Sequence, residues 1–296
     1  MLVSLSAPIL RCMLATLLTT SLLSPALAAS LEEIRESGKI RHLGIRYANF
    51  VTGAGDGFDV DLMRGFADQI GVEYELVYSD FYSVIRDLLG KDVVTTPDGI
   101  TLEGDFPVRG DVISTGFTVL PWREEVLLFS EPTFPSQVLL VAPAGSGLSP
   151  IHPSGDLGSD IAATKALIGS NSLLVMEKTC LDPSGYGLTG KGIDLRKYTA
   201  STNLNEMVPA MLNGTADVTL LDVPDVILDL AQWSGQIKIL GPISRPQVLA
   251  TAFPKDAGDL RDAFDDYLRQ IRENGTYDAL VDRYYPGIRT FFPVFF

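Results

Sequence analysis

The chain has 296 residues, with 23 Lys+Arg against 37 Asp+Glu for a net charge of −14, and 46% of its residues are hydrophobic. That is apolar material enough for one large or two medium cores, which excludes a disordered or collagen-like chain. An acidic chain with no long Lys/Arg run offers little to a nucleic-acid backbone or an anionic membrane, and two His and two Cys are too few for a Cys/His zinc site or a His-based triad.

Residues 1–28 carry one charge, Arg11, then the apolar run MLATLLTTSLLS and PALA, with Ala26 and Ala28 in the small-x-small pattern of a signal-peptidase site. The run is shorter than the roughly 20 residues that span a bilayer, so a cleaved secretory signal is expected rather than an anchor. Cleavage removes Cys12 and leaves Cys180 alone, so no intramolecular disulfide is expected.

Further along, strand-like runs alternate with helix-like ones, the pattern of an α/β fold with a largely parallel sheet. Leu62, Phe66 and Ile70 recur at helical spacing up to Gly71, and VEYELVY then alternates as a strand. Asp80 can cap a helix whose apolar stripe is Val84, Ile85, Leu88 and Leu89, ending at Gly90. Residues 92–110 lack clear periodicity and read as a long surface excursion. A Gly/Ser/Pro-rich stretch, 143–158, marks an exit into a second α/β unit: strand LLVM, helix LNEMVPAML, strand ADVTLLD, helix VILDLAQW and strand QIKIL. QVLATAF (247–253) predicts another strand, and Leu260, Phe264, Leu268 and Ile271 predict an amphipathic helix stopped by Asn274-Gly275. The similar strands QVLLVA (137–142) and QVLATAF bracket the middle unit, as two crossing strands would in a two-lobed protein. The aromatic tail YYPGIRTFFPVFF is expected to pack on the first lobe.

The segment GFDVDLMRGFADQIGVEYEL resembles the signature of the family 3 extracellular solute-binding proteins, the periplasmic receptors of amino-acid ABC importers. DFYSVIRDLLGK, GFTVLPWREEVLLFSEPTF, LNGTADVTLLD and FPKDAGDLRDAFDDYLRQIRENGTYDALVDRYYP resemble further family segments in the same order, so the resemblance covers nearly all of the mature chain. It implies a two-lobed, type II periplasmic-binding-protein fold with two hinge strands, residues 30–140 plus 250–296 forming the first lobe and 141–249 the second.

The resemblance also implies site residues. Arg123 falls on the family's ligand-carboxylate arginine, a role suited to a planar guanidinium fork. Asp222, at the end of an apolar strand, matches the aspartate that holds the ligand's α-ammonium; its structural alternative is a helix N-cap. Phe81 falls where the family has an aromatic wall, Tyr47 and Phe50 offer a second wall, and Thr118 matches the first Thr of G-x-T-x-T. Three departures stand out: Leu120 replaces the second Thr, Glu177-Lys178-Thr179-Cys180 replaces an S-G-T loop while keeping Thr179, and the 92–110 excursion is longer than usual.

The expected function is a monomeric, non-enzymatic periplasmic receptor that closes on an amino acid or related carboxylate and presents it to an ABC permease, with no metal or cofactor. An alternative on the same fold is a cyclohexadienyl or arogenate dehydratase, for which Glu177 is the candidate general acid. Another is a ligand sensor for a signalling partner.

Overall fold

The computed structural model describes residues 30–96 and 99–296; the expected signal segment and Cys12 lie outside the described residues. The first described element is α1 (Leu31–Ser37), held by a reciprocal capping box in which the Ser30 side chain accepts from the Glu33 N–H and the Glu33 carboxylate accepts from the Ser30 N–H. Strand β1 (Lys39–Ile45) is followed by α2 (Phe58–Ile70) and β2 (Glu73–Ser79), and β1 pairs parallel with β2 from Lys39↔Glu73 to Ile45↔Ser79. Helix α2 buries Leu62, Met63 and Phe66 and stops at Gly71, whose φ of 79° is the left-handed conformation that ends a helix without a Cβ penalty.

After α3 (Val84–Leu89) the 92–110 segment is not an irregular excursion. It holds an antiparallel pair, β3 (Asp92–Thr96) and β4 (Gly99–Glu103), in register from Asp92↔Glu103 to Thr96↔Gly99. The β-branched residues of DVVTT and GIT favour the pleated surface, and among the described residues of this segment those from 104 onward run without regular structure. Strand β5 (Val112–Ile113), α4 (Pro121–Val126) and β6 (Leu127–Phe129) complete the chain's first pass through this lobe.

Strand β7 (Phe134–Ser136) leads to the second lobe, built from β8 (Val138–Pro143), α5 (Leu157–Ile168), β9 (Leu173–Val175), β10 (Leu195–Lys197), α6 (Met207–Leu212), β11 (Val218–Asp222), α7 (Val223–Gln232) and β12 (Ile237–Pro242). Its five-stranded sheet has the order β10-β9-β11-β8-β12, with β8 antiparallel to both neighbours, and the loop 144–156 joins β8 to α5 within this lobe. Helix α5 carried no sequence expectation, because its Ala- and Thr-rich run buries little beyond Thr164 and Ile168.

The chain returns through β13 (Gln247–Leu249), which pairs with β7 as Gln247↔Ser136, Val248↔Pro135 and Leu249↔Phe134. QVLATAF is therefore two strands rather than one: the pairing breaks at Ala250-Thr251, and β14 (Ala252–Pro254) enters the first sheet between β5 and β6, giving the order β2-β1-β5-β14-β6. Helices α8 (Gly258–Glu273), α9 (Thr276–Tyr284) and α10 (Ile288–Phe291) finish the first lobe, with Leu260, Phe264, Leu268 and Ile271 of α8 buried as the periodicity predicts. In the aromatic tail, Tyr285 is buried against Phe50 and Phe134, and Phe296 packs edge-on to Phe134, whereas Val294 faces solvent. The molecule is thus two α/β lobes, each on a five-stranded sheet, joined by the β7–β13 ribbon.

Candidate functional site

Helix α4 begins at Pro121, whose fixed φ suits a first helical position, with Leu120 in an extended conformation as the N-cap. That start places Arg123 in the first turn, facing inward and only 1% exposed. Its guanidinium lies 3.9 Å from the centre of the Phe117 ring and 5.2 Å from that of Trp122. Nη1 donates to the Thr118 carbonyl at 2.9 Å and Nη2 to the Lys178 carbonyl of the second lobe at 3.5 Å, while Nε has no partner. Burial lowers its pKa to about 10, opposed by Cys180, Tyr186 and Asp222, so the group stays cationic at neutral pH.

Across the cleft, β11 ends in Asp222, which is fully buried. It occupies the N-cap position of α7, but its side chain makes no capping hydrogen bond. Its Oδ2 accepts from the Tyr47 hydroxyl of the first lobe at 2.9 Å, and Oδ1 has no partner. Burial raises its pKa, while the neighbouring Cys180, Tyr47 and Ser136 side chains and the charge of Arg123 act the other way.

Tyr47 sits in a tight turn closed by an isolated bridge to Val51. Its ring stacks at 5.9 Å on Phe50 and meets the edge of Phe81 at 5.7 Å. A third crossing contact runs from the Ala48 N–H to Asn205 Oδ1 at 3.1 Å, so the lobes are closed on each other. Phe50 is a core residue behind Tyr47, packed among Phe58, Phe134 and Tyr285, rather than a surface of the cleft.

Of the sequence-predicted residues, Arg123, Thr118, Tyr47, Phe81 and Asp222 converge at the junction of the lobes. Thr118 does so through its backbone, which accepts from Arg123 and bridges to Leu249. The Thr179 hydroxyl is engaged within its own turn, donating to the Met176 carbonyl and accepting from the Leu181 N–H. Leu120 is half-buried at the start of the helix that carries Arg123. Lys178, at a φ of 61°, meets Arg123 through its carbonyl, and Glu177 pairs at 2.7 Å with Lys197, both side chains about half exposed.

Sequence reasoning missed three residues at this junction. Asp225 is buried in the first turn of α7, three residues beyond Asp222, a spacing that could have flagged it. Ser136 and Gln247 face each other in the β7–β13 ribbon, and nothing local marks them. Together with Arg123 Nε and Asp222 Oδ1, Asp225 Oδ2, Ser136 Oγ and Gln247 Oε1 are buried polar atoms without hydrogen-bond partners. Beside this junction, a cavity of about 800 Å³ opens between Phe81, Tyr82, Trp122 and Glu125 of the first lobe and Lys178 and Asp182 of the second, with the β3–β4 hairpin as its outer wall. Among the described residues, no group of three or more His, Cys, Asp or Glu is arranged to hold a metal, and no helix is long and apolar enough to cross a membrane.

The profile of the bacterial extracellular solute-binding proteins, family 3, matches residues 108–287. The chain is 27% identical over 266 residues to a membrane-bound lytic murein transglycosylase F of Desulfosudis oleivorans, a match covering 88% of this chain and 52% of that protein. It spans about half the length of the transglycosylase relatives it matches. It is 23% identical to the arginine-binding extracellular protein ArtP of Bacillus subtilis, covering 85% of this chain and 89% of that one. In three dimensions it is similar to the P235GK mutant of ArgBP from T. maritima, with a TM-score of 0.67 at 23% identity over 86% of this chain and 98% of that one.

Proposed function

Since the chain belongs to the family 3 bacterial extracellular solute-binding proteins, we propose that it is a periplasmic receptor that captures a small amino acid or related carboxylate between its two lobes and delivers it to an ABC permease. The observation that carries this reading is Arg123, a buried guanidinium that forms no salt bridge among the described residues and keeps an unpartnered Nε. A permanent cation in that setting is costly unless an anion joins it, and a ligand carboxylate matches its fork with charge-assisted bonds of roughly 1.5–3 kcal/mol each. Asp222 gives the opposite charge for an ammonium, which would take the place of the Tyr47 hydroxyl at Oδ2.

In this reading the β7–β13 ribbon is the hinge, and the lobes part by bending there while each sheet stays intact. The division between lobes would then fall at the ribbon, with β8 moving as part of the second lobe. Residues 1–28 would direct export and be removed. The dehydratase alternative loses support because its candidate acid, Glu177, is engaged with Lys197 on a half-exposed face of the second lobe.

A thermal-shift screen of the mature protein against amino acids, dicarboxylates and aromatic acids tests the reading. A true ligand stabilises by RT ln(1 + [L]/Kd), so the melting temperature should climb with its concentration. Conversion of prephenate or arogenate by the same preparation, or release of muropeptides from murein, would replace the receptor by an enzyme.

A further inference from the structure

The unpartnered buried atoms at the junction are unbalanced. Three are acceptors, Asp222 Oδ1, Asp225 Oδ2 and Gln247 Oε1; one is a donor, Arg123 Nε; and the Ser136 hydroxyl can be either. Unpaired buried acceptors are costly and are normally met by a ligand or ordered water. In the proposed receptor a ligand's carboxylate meets Arg123 and its α-ammonium meets Asp222. That leaves an acceptor-rich remainder made of Asp225 on α7 and Gln247 in the ribbon, with Ser136 opposite Gln247.

Charge points the same way. Asp222, Asp225 and Asp229 follow one another at helical spacing from the end of β11 along α7, and Arg123, whose charge acts on Asp222, is the buried cation described at this junction. Asp225 is 4% exposed in the first turn of α7, where the helix N-terminus favours a negative charge, yet no N–H reaches its Oδ2. A zwitterionic ligand would leave the excess of carboxyls unchanged, whereas a ligand with a second cationic nitrogen would reduce it. The net charge of −14 also attracts a cation during approach.

We propose that the ligand is a cationic amino acid, and that Asp225, assisted by Gln247 and Ser136 of the ribbon, receives its second positively charged nitrogen. The assignment rests on the receptor reading and deepens it. In the ligand-free protein, Asp225 is faced by Asp222, Asp229, Tyr47, Cys180 and Tyr285, and burial together with the two neighbouring carboxyls holds its pKa well above the usual carboxylate range. That favours the protonated carboxyl before binding, whereas a cation facing it favours the ionised one. Binding of cationic ligands should then strengthen as pH rises, and be accompanied by proton release.

Titration calorimetry of the mature protein at pH 7, in buffers of different ionisation enthalpy, reads both effects. The panel is ornithine, lysine and arginine beside their neutral counterparts norvaline, norleucine and citrulline. At least one cationic member should bind about tenfold or more tighter than its neutral counterpart and release more protons per site than that counterpart does. Asp225→Asn, which keeps the side chain's shape, should remove that preference and the proton release. Neutral counterparts binding as tightly as the cationic ones, with no proton released, would overturn this assignment and leave the receptor standing. Failure of every amino acid in both this panel and the wider screen would overturn the receptor reading and this inference together. The wild-type comparison needs no variant, so poor folding of Asp225→Asn would not shield the idea.

Discussion

Arg123 in the first lobe and Asp222 in the second are equally buried, yet their surroundings differ in kind. The guanidinium lies against Phe117 and Trp122 and donates at 2.9 Å to the Thr118 carbonyl, so its position is fixed by rings and main chain of its own lobe, with only the longer bond to the Lys178 carbonyl crossing the cleft. The carboxylate stands at the end of a strand with a second acid, Asp225, three residues on, and its one firm hydrogen bond comes from Tyr47 of the opposite lobe. The first lobe therefore presents a preorganised cation, while the second presents carboxyls whose state depends on what faces them across the cleft. Such an arrangement lets a ligand settle first on the fixed side and draw the second lobe over it.

Removing the fixed side should have the largest effect. Arg123→Ala should weaken ligand binding by about 2–5 kcal/mol, roughly thirtyfold to several thousandfold, while circular dichroism shows the fold retained. A calorimetric Kd within threefold of wild type would break the comparison at its strong end. Asp222→Asn should come next, weakening ligands that carry an ammonium far more than those with only a carboxylate, because the amide keeps the shape and loses the charge. Equal losses for both kinds of ligand would remove the ammonium from Asp222, and no loss for either would leave it as a helix start.

Tyr47→Phe isolates the contact between lobes. The stacks on Phe50 and Phe81 survive, but the hydroxyl to Asp222 is lost, a hydrogen bond to a charged group of about 1.5–3 kcal/mol. The ligand-free variant should be more open, with a larger radius of gyration in X-ray scattering, and the ligand-bound variant should match wild type. An unchanged ligand-free radius would mean that other contacts, such as Ala48 to Asn205, hold the lobes together. The smallest effect is expected from Leu120→Thr. A threonine there can cap α4, worth about 1 kcal/mol, and restores a hydroxyl beside Arg123, so affinity for a polar amino acid should rise by about tenfold. Unchanged or weaker binding would show that the ligand presents an apolar face to Leu120.

Much of this architecture was legible in the sequence because it is local. Helix α2 announces itself by Leu62, Phe66 and the stop at Gly71, and α8 by its single apolar face. The β3–β4 hairpin was not read, although TTPDGI contains turn residues between two β-branched runs, because its faces are too exposed to alternate clearly. The division of QVLATAF between β13 and β14 was hidden for another reason: the run is uniformly strand-like, and only its partners, Phe134–Ser136 on one side and Leu127–Phe129 with Ile113 on the other, decide where it breaks. Arg123 and Asp222 could be picked out because each lies in a recognisable run. Ser136 and Gln247 could not, since their meeting is a matter of register between segments more than a hundred residues apart. Thr179 illustrates the converse, a residue of suitable type whose hydroxyl is committed to Met176 and Leu181.

The position of β14 has a consequence for how the chain acquires its structure. This strand lies between β5 and β6, inside the first sheet, yet it is reached only after the chain has passed through the whole of the second lobe. The second sheet, by contrast, is complete once β12 ends at Pro242. Closing the first sheet requires an excursion of more than a hundred residues, and such closures are slow until the intervening chain is compact. The second lobe should therefore fold first and act as a short tether that delivers β14 to its gap. In pulse-labelled hydrogen exchange during refolding, amides of β8 and β11 should gain protection before those of β5 and β6.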